Sequence, residues 1–126
     1  MKTAIISIKP EYVKKIFSGE KKYEFRKCNI DSNLFFIYET APVSAVVGYV
    51  LTGKFISAVN KTWEYLNRYA GISESDFYLY YKDKRIAYAY EIKQVYKFAK
   101  PIPLEHFGLK RPPQSFCYLK GENNEN

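Results

Sequence analysis

The three residues best suited to chemistry lie close together within the run 19–26: the cations Lys21 and Arg26 and the carboxylate Glu24. If this run forms a strand after Gly19, successive side chains alternate between faces, so Glu24 and Arg26 project from the same face. Lys21 falls in the turn before the strand, where a chain reversal can bring its ammonium toward that pair. The spacing therefore predicts that the three charged groups converge.

Three interpretations of this cluster follow from its chemistry. In a recognition site, Arg26 binds a phosphate or a carboxylate through its fork of donors, Lys21 adds a charge, and Glu24 accepts from an exocyclic amine of a base. In a hydrolase, a lysine held in an apolar cleft has a lowered pKa and acts as a general base, while Glu24 carries the proton. In the third interpretation, the run is a solvated strand whose surface ion pairs contribute little.

The neighbouring residues predict the elements that position this cluster. The apolar stretch 4–8 predicts a strand, and apolar side chains on one face of 10–18 predict a short amphipathic helix. Pro10 suits the first helical turn, where its missing N–H would be unpaired anyway, and Gly19 suits a left-handed residue that ends a helix. The predicted order is strand, helix, turn, strand.

The rest of the chain adds strands and short helices. Further strands are predicted at 34–39, 43–55, 85–98 and 115–119, with a turn at 29–33 and a proline linker at 101–103. Helical spacing in 61–81 predicts two short helices, the second starting at Ser73 with a capping-box-like pattern. Trp63 is expected to pack this helical insert onto the sheet, or alternatively to border a ligand cleft. In total, five or six strands with two or three short helices indicate an α+β, mainly β, fold.

The motif residues also carry a family resemblance. The pattern G-x-K-x-x-E-x-R is matched by Gly19, Lys21, Glu24 and Arg26. With the preceding residues 6–12, this pattern resembles the signature of the ASCH domains, a branch of the PUA-like superfamily. Residues 38–43 resemble the family's second strand pair, and 112–119 resemble its closing strand. The resemblance implies a single domain over 1–120, folded as a PUA-like pseudo-barrel of mostly antiparallel strands with helices at its ends.

The resemblance leaves the activity open. ASCH proteins resemble RNA-binding PUA domains; some deacetylate N4-acetylcytidine with a threonine nucleophile activated by the motif lysine, and others are assigned ribonuclease activity. This sequence keeps the lysine as Lys21 but has Glu24 in place of that threonine. The leading hypothesis is therefore binding of RNA, another nucleic acid or a modified nucleoside in a basic cleft. The alternatives are a hydrolase of RNA or of an acylated nucleoside, with Lys21 and Glu24 as catalytic residues, and a regulator acting through a protein partner.

The expected ligand-binding residues all border such a cleft in the predicted arrangement. They are Ser7, Lys9, Lys21, Glu24, Arg26, Tyr38, Thr40 and Ser115. The hydroxyls of Thr40 and Ser115 have no recognisable activation motif, so strand-end hydrogen bonding is their alternative role. The nucleic-acid backbone is expected to contact four nearby lysines, namely Lys14, Lys15, Lys22 and Lys27.

Composition restricts the remaining function classes. Twenty Lys and Arg against 13 Asp and Glu give a net charge of +7, which favours polyanionic partners. Two cysteines without C-x-x-C spacing and a single histidine predict reduced thiols, no metal and no cofactor. Since no long apolar segment opens the chain, we expect a cytoplasmic protein without membrane contact. Residues 121–126 are expected to form a disordered polar tail. The ligand, the choice between RNA and DNA, and the oligomeric state stay open.

Overall fold

The computed structural model describes residues 2–119, so the tail predicted at 121–126 lies outside the described residues. The strands are β1 (Lys2–Ile8), β2 (Tyr23–Arg26), β3 (Ser32–Glu39), β4 (Ala45–Ala58), β5 (Ile86–Ile102) and β6 (Phe116–Tyr118). The α-helices are α1 (Pro10–Ser18), α2 (Val59–Leu66) and α3 (Glu74–Tyr80). Short 3-10 turns lie at Asn67–Tyr69 and Leu104–Phe107.

The six strands form one curled sheet in the order β2-β5-β4-β3-β1-β6. β1 and β3 run parallel, and the other neighbours run antiparallel. Strands β2 and β6 are therefore the two edges of a half-barrel. This architecture confirms the predicted α+β, mainly β, fold of mostly antiparallel strands with short helices.

Helix α1 forms where its sequence predicts it. Pro10 is its first residue, and Gly19 ends it with φ of 87° while its N–H donates to the carbonyl of Ile16. Val13 and Ile16 are buried on the face toward the sheet. The helix thereby covers the inner face of the sheet, where a first apolar cluster includes Ala4, Ile6, Phe35, Ile37 and Tyr90.

The helical insert, residues 59–85, covers the outer face of β2 and β5. Phe77 of α3 packs against Phe25 of β2 with ring centroids 5.1 Å apart. Ala87 and Ala89 are fully buried in the same cluster, which explains the run of small residues along one face of β5. Trp63 of α2 packs on Phe77 at 4.9 Å, so the prediction that it holds the insert on the sheet is confirmed.

Three predicted boundaries are wrong because strand pairing extends further than local patterns indicate. β5 continues through Pro101 to Ile102, where we expected a linker. β2 pairs only with the part of β5 around residues 88–91, so the far half of β5 has an open edge on which a proline, lacking an N–H, is tolerated. β3 begins at Ser32, inside the predicted turn, because Ser32 pairs with Lys2. β4 extends to Ala58 through its pairing with Ile86.

Within residues 2–119, no helix is long and apolar enough to cross a membrane.

Candidate functional site

The charged residues of the motif are buried. Lys21, Glu24 and Arg26 are 4%, 8% and 7% exposed, so the interpretation of this run as a solvated strand is wrong. Glu24 pairs across the sheet with Tyr90, whose ring lies in the inner apolar cluster. Side chains opposite one another on paired strands share a face. Glu24 and Arg26 therefore project to the inner side of the half-barrel, as their spacing predicts.

Arg26 joins the two edges of the curled sheet. Its Nε donates to Oε2 of Glu24 at 3.0 Å. Its Nη2 donates to the carbonyl oxygen of Ser7 in β1 at 2.9 Å, and its Nη1 donates to Oγ of Ser115, before β6, at 3.1 Å. A guanidinium has only five N–H donors. Most donors of Arg26 are thus engaged inside the protein, which leaves it little capacity to bind a phosphate.

Glu24 keeps one carboxylate oxygen available. Its Oε2 accepts from Arg26, whereas the described residues provide no hydrogen bond to Oε1. Every completely buried side-chain oxygen of the described residues has a hydrogen-bond partner. Since Oε1 has none, it is at least partly accessible to solvent. Glu24 also lines a cleft beside the motif. A carboxylate oriented in this way by a guanidinium is a fixed hydrogen-bond acceptor for a ligand.

Lys21 lies behind the wall of the cleft and does not line it. Its Nζ donates to the carbonyl of Ala70 at 2.7 Å and lies 4.9 Å from the ring centre of Phe25. Burial lowers the pKa of Lys21, and the nearby carboxylate of Glu24 opposes this shift. The side-chain carbons of Lys21 pack on Gly71, at which an added Cβ would lie 2.5 Å from the Cβ of Lys21. We call this contact of Lys21 with Ala70 and Gly71 the Lys21 clasp.

The cleft itself has a volume of about 740 Å³ and opens between the two edges of the sheet. Its walls come from the end of β1, the start of α1, β2, α3 and the loop before β6. Five of the predicted ligand-binding residues line it: Ser7, Lys9, Glu24, Arg26 and Ser115. Arg26, which joins the two edges of the sheet, thus forms part of the floor of the cleft.

Two predicted residues lie elsewhere. Tyr38 is 6% exposed and belongs to a third apolar cluster with Ile5, Val46 and Leu104. The backbone N–H of Thr40 donates to the carbonyl of Ile8. Neither residue lines the cleft.

Among the lysines predicted to contact a nucleic-acid backbone, Lys27 lines the cleft. Lys14 and Lys22 are exposed, and Lys15 donates through Nζ to the carbonyl of Gly71 at 3.3 Å. Only Lys27 among these four is therefore placed to meet a ligand inside the cleft.

The cleft also has lining residues that were not in the predicted set, among them Tyr12, Asp76, Tyr80 and Gln114. Burial raises the pKa of Tyr80, with Arg26 opposing the shift, and Lys27 Nζ lies 4.5 Å from the centre of the Tyr80 ring. Burial also raises the pKa of Tyr12. Tyr12 could have been found, since it follows Pro10 on the inward side of α1. Asp76 and Tyr80 carry no such signal because the docking of α3 brings them to the cleft.

The hydroxyls of the cleft are hydrogen-bonded but not activated. Ser7 Oγ donates to the carbonyl of Pro113 at 2.7 Å, and Ser115 Oγ accepts from Arg26. Within the described residues, neither contacts a side chain that could remove its proton. The available polar groups are instead the buried carboxylate of Glu24 and, at the exposed rim, the carboxylates of Glu11 and Asp76 and the cations Lys9 and Lys27. This arrangement suits a ligand that presents hydrogen-bond donors to Glu24.

Comparison with known proteins places this fold and chain among characterised relatives. No protein-family model matches the sequence. The chain is 32% identical over 132 residues to an ASCH domain-containing ribonuclease of Zymomonas mobilis, covering 98% of this chain and 88% of that protein. It is also 31% identical to the ATP synthase subunit alpha of Ureaplasma parvum, but there it spans 94% of this chain and only 15% of that protein.

Solved structures of the Zymomonas mobilis protein resemble this chain over almost its full length. The crystal structure of ASCH from Zymomonas mobilis superposes with a TM-score of 0.86 at 30% identity, covering 98% of this chain and 92% of that chain. A variant of that protein with a tyrosine changed to phenylalanine has the same TM-score of 0.86 at 29% identity, over 99% of this chain and 95% of that chain. The likeness extends over nearly the full length of both chains.

Proposed function

Because this chain belongs to the ASCH domain family, we propose that it binds single-stranded RNA, with one unpaired base entering the cleft between the two edges of the sheet. A base must be unstacked and unpaired to enter a cleft of this kind. The ribonuclease name of the Zymomonas mobilis relative and the net charge of +7 support RNA as the ligand. A free modified nucleoside would use the same contacts.

The available oxygen of Glu24 carries this proposal. A carboxylate accepts from an amino or imino group on a base edge, and Arg26 fixes its orientation through the 3.0 Å bond to Oε2. The rings of Tyr12 and Tyr80 line the same cleft and provide surfaces against which a base can stack. Lys9 and Lys27 lie at the rim, where they meet the phosphates that flank the inserted base.

The proposal is tested by titrating a fluorescein-labelled single-stranded RNA octamer with wild-type protein and with Glu24→Gln. A hydrogen bond to a charged group contributes about 1.5–3 kcal/mol, so the substitution should weaken binding roughly tenfold or more. Glu105→Gln is the matched control, because it removes the same charge from an exposed residue outside the cleft. Equal affinities for the two variants would contradict the proposal.

A second candidate is cleavage of the bound RNA, which the ribonuclease name of the relative favours. In this reaction Glu24 takes the proton of a ribose 2′-hydroxyl as that oxygen attacks the adjacent phosphorus. The bond to the 5′-oxygen of the next nucleotide breaks, and a donor such as Tyr80 or Lys27 protonates the leaving oxygen. The products are a 2′,3′-cyclic phosphate and a free 5′-hydroxyl.

Gel analysis of the same octamer separates binding from cleavage. Cleavage is supported if the wild type produces shorter RNA that Glu24→Gln does not, and if a single 2′-deoxy nucleotide blocks the cut on its 3′ side. Retention of intact RNA by the wild type excludes cleavage and leaves the binding proposal standing.

A further inference from the structure

Two cations converge on one exposed tyrosine beside the helical insert. Tyr69 is 40% exposed. Lys22 Nζ and Arg68 Cζ each lie 5.4 Å from the centre of its ring. Cations within about 6 Å of a ring centre are attracted to its face. The ring therefore restrains two long basic side chains that would otherwise move freely in solvent.

The backbone explains why these side chains meet. The N–H of Lys22 donates to the carbonyl of Tyr69 at 2.8 Å, next to the Lys21 clasp. Lys15 adds a third cation, since its Nζ donates to the carbonyl of Gly71 at 3.3 Å. Like charges gathered on one surface repel one another, and a bound anion relieves this repulsion.

No protein carboxylate provides that relief among the described residues. Neither Lys22 nor Arg68 has a carboxylate oxygen within 4.0 Å in residues 2–119, whose ion pairs involve other cations. Two acids lie two residues from Lys22: Glu24 accepts from Arg26 Nε at 3.0 Å, and Glu20 accepts from Ser18 Oγ at 3.2 Å. The positive charge at Lys22 and Arg68 is therefore uncompensated.

The chain leads from this surface to the cleft within three residues. Tyr69 belongs to the surface, and Ile72 lines the cleft. An RNA strand whose base occupies the cleft must place its next phosphates on nearby surface. The surface of Lys22, Arg68 and Tyr69 is a candidate for this contact because so few residues separate it from the lining of the cleft.

We propose that Lys22, Arg68 and Tyr69 form a phosphate-binding subsite for the RNA strand that leaves the cleft. The two cations bind a phosphodiester group, and the tyrosine ring holds them in position for it. The subsite rests on the proposed RNA binding, and it adds affinity for oligonucleotides while leaving the affinity for a single nucleoside unchanged.

The test compares two charge-matched double variants. Lys22→Gln with Arg68→Gln removes the subsite, and Lys93→Gln with Lys100→Gln removes two exposed cations of β5 that lie outside the cleft. Each variant is titrated with the RNA octamer between 50 and 200 mM salt and with a nucleoside at one salt concentration. Each lost phosphate contact lowers the slope of log affinity against log salt by about 0.7.

The first double variant should bind the octamer more weakly than the control variant, with a slope lower by up to about 1.4 for two contacts, and bind the nucleoside like wild type. Octamer affinity and slope equal to those of the β5 control would overturn the subsite. Failure of the wild type to bind the octamer at all would instead overturn the RNA-binding proposal on which the subsite depends. Circular dichroism verifies that both double variants are folded.

Discussion

At the scale of single residues, the pair of Arg26 and Glu24 combines a structural role with the recognition role that we propose for Glu24. Burying a charge costs several kcal/mol unless it is paired and hydrogen-bonded. Arg26 meets this requirement with acceptors on three segments, and Glu24 is satisfied through one oxygen only. Arg26 compensates the charge of Glu24 through Oε2, which leaves Oε1 available to accept a hydrogen bond.

Removing the guanidinium should destabilise the fold. Arg26→Met leaves the Glu24 carboxylate buried without its partner, and such a loss costs about 3–5 kcal/mol. Lys61→Met is the control, since it removes a cation from an exposed ion pair with Glu64 at 3.5 Å and should cost less than about 1 kcal/mol. Urea unfolding measures both. Similar losses for the two variants would show that the Arg26 network contributes little.

The buried Lys21 predicts a pH effect. Burial lowers its pKa in the folded state, so the unfolded chain binds the proton more tightly. Between the folded and unfolded pKa values the unfolded state holds more protons, and stability rises with pH. The free energy of unfolding of the wild type relative to Lys21→Met should therefore increase as the pH rises toward about 10, the usual range for lysine. A constant difference from pH 7 to 9.5 would contradict this pKa shift.

At the scale of elements, the Lys21 clasp fixes the helical insert against the turn between α1 and β2. Gly71 has φ of +68° and accepts close packing of the Lys21 side chain. The clasp precedes α3, which supplies Asp76 and Tyr80 to the cleft. We therefore expect the position of this wall to depend on Lys21, which does not itself line the site.

A methyl group at Gly71 tests this dependence. Gly71→Ala introduces a Cβ 2.5 Å from that of Lys21, so it adds an overpacking cost of about 1–3 kcal/mol to the backbone cost of a left-handed alanine. Gly108→Ala is the matched control, because Gly108 has φ of +78° and nothing within 4 Å of an added Cβ. Hydrogen exchange should speed up in α3 for Gly71→Ala only. The same protection of α3 in both variants would show that the clasp does not hold the insert.

Elements governed by local signals are the ones that the sequence predicts well. Helix α1 has its proline and glycine at the expected ends, and Ser73 caps α3 by accepting from the N–H of Asp76 at 3.1 Å. The continuation of β5 through Pro101 depends on pairing with β4, whose residues lie about fifty positions earlier. No local sequence pattern indicates a pairing partner so distant along the chain, which is why the predicted end of β5 was wrong.

The same distinction applies to the candidate site. The shared face of Glu24 and Arg26 follows from period two and was predicted. The partners of these residues were not, because Ser115 lies 89 positions from Arg26 and Ala70 lies 49 positions from Lys21. These contacts engage Arg26 and Lys21 largely within the protein, and only Arg26 of the two also lines the cleft.

At the scale of the whole molecule, the interior of the half-barrel should limit stability at high pH. Tyr90 accepts from the N–H of Ile30 at 2.7 Å, and burial raises its pKa to about 12. Because the folded pKa exceeds the unfolded value near 10, its contribution is complete below pH 10 and is lost as the pH rises toward 12. Unfolding curves of wild type and Tyr90→Phe should differ most below pH 10 and converge above it. Parallel pH profiles would contradict the shift.

Arg26 bridges the two edges of the half-barrel at the floor of the cleft, which we propose an RNA base enters. The most direct measurement is an NMR titration of ¹⁵N-labelled protein with the RNA octamer. We predict chemical-shift changes at amides around the cleft, including Phe25, Asp76 and Ser115, and none beyond baseline on the far half of β5, including Val95 and Ala99. Chemical-shift changes confined to β5, with the signals of the cleft amides unchanged, would contradict the insertion of a base into the cleft.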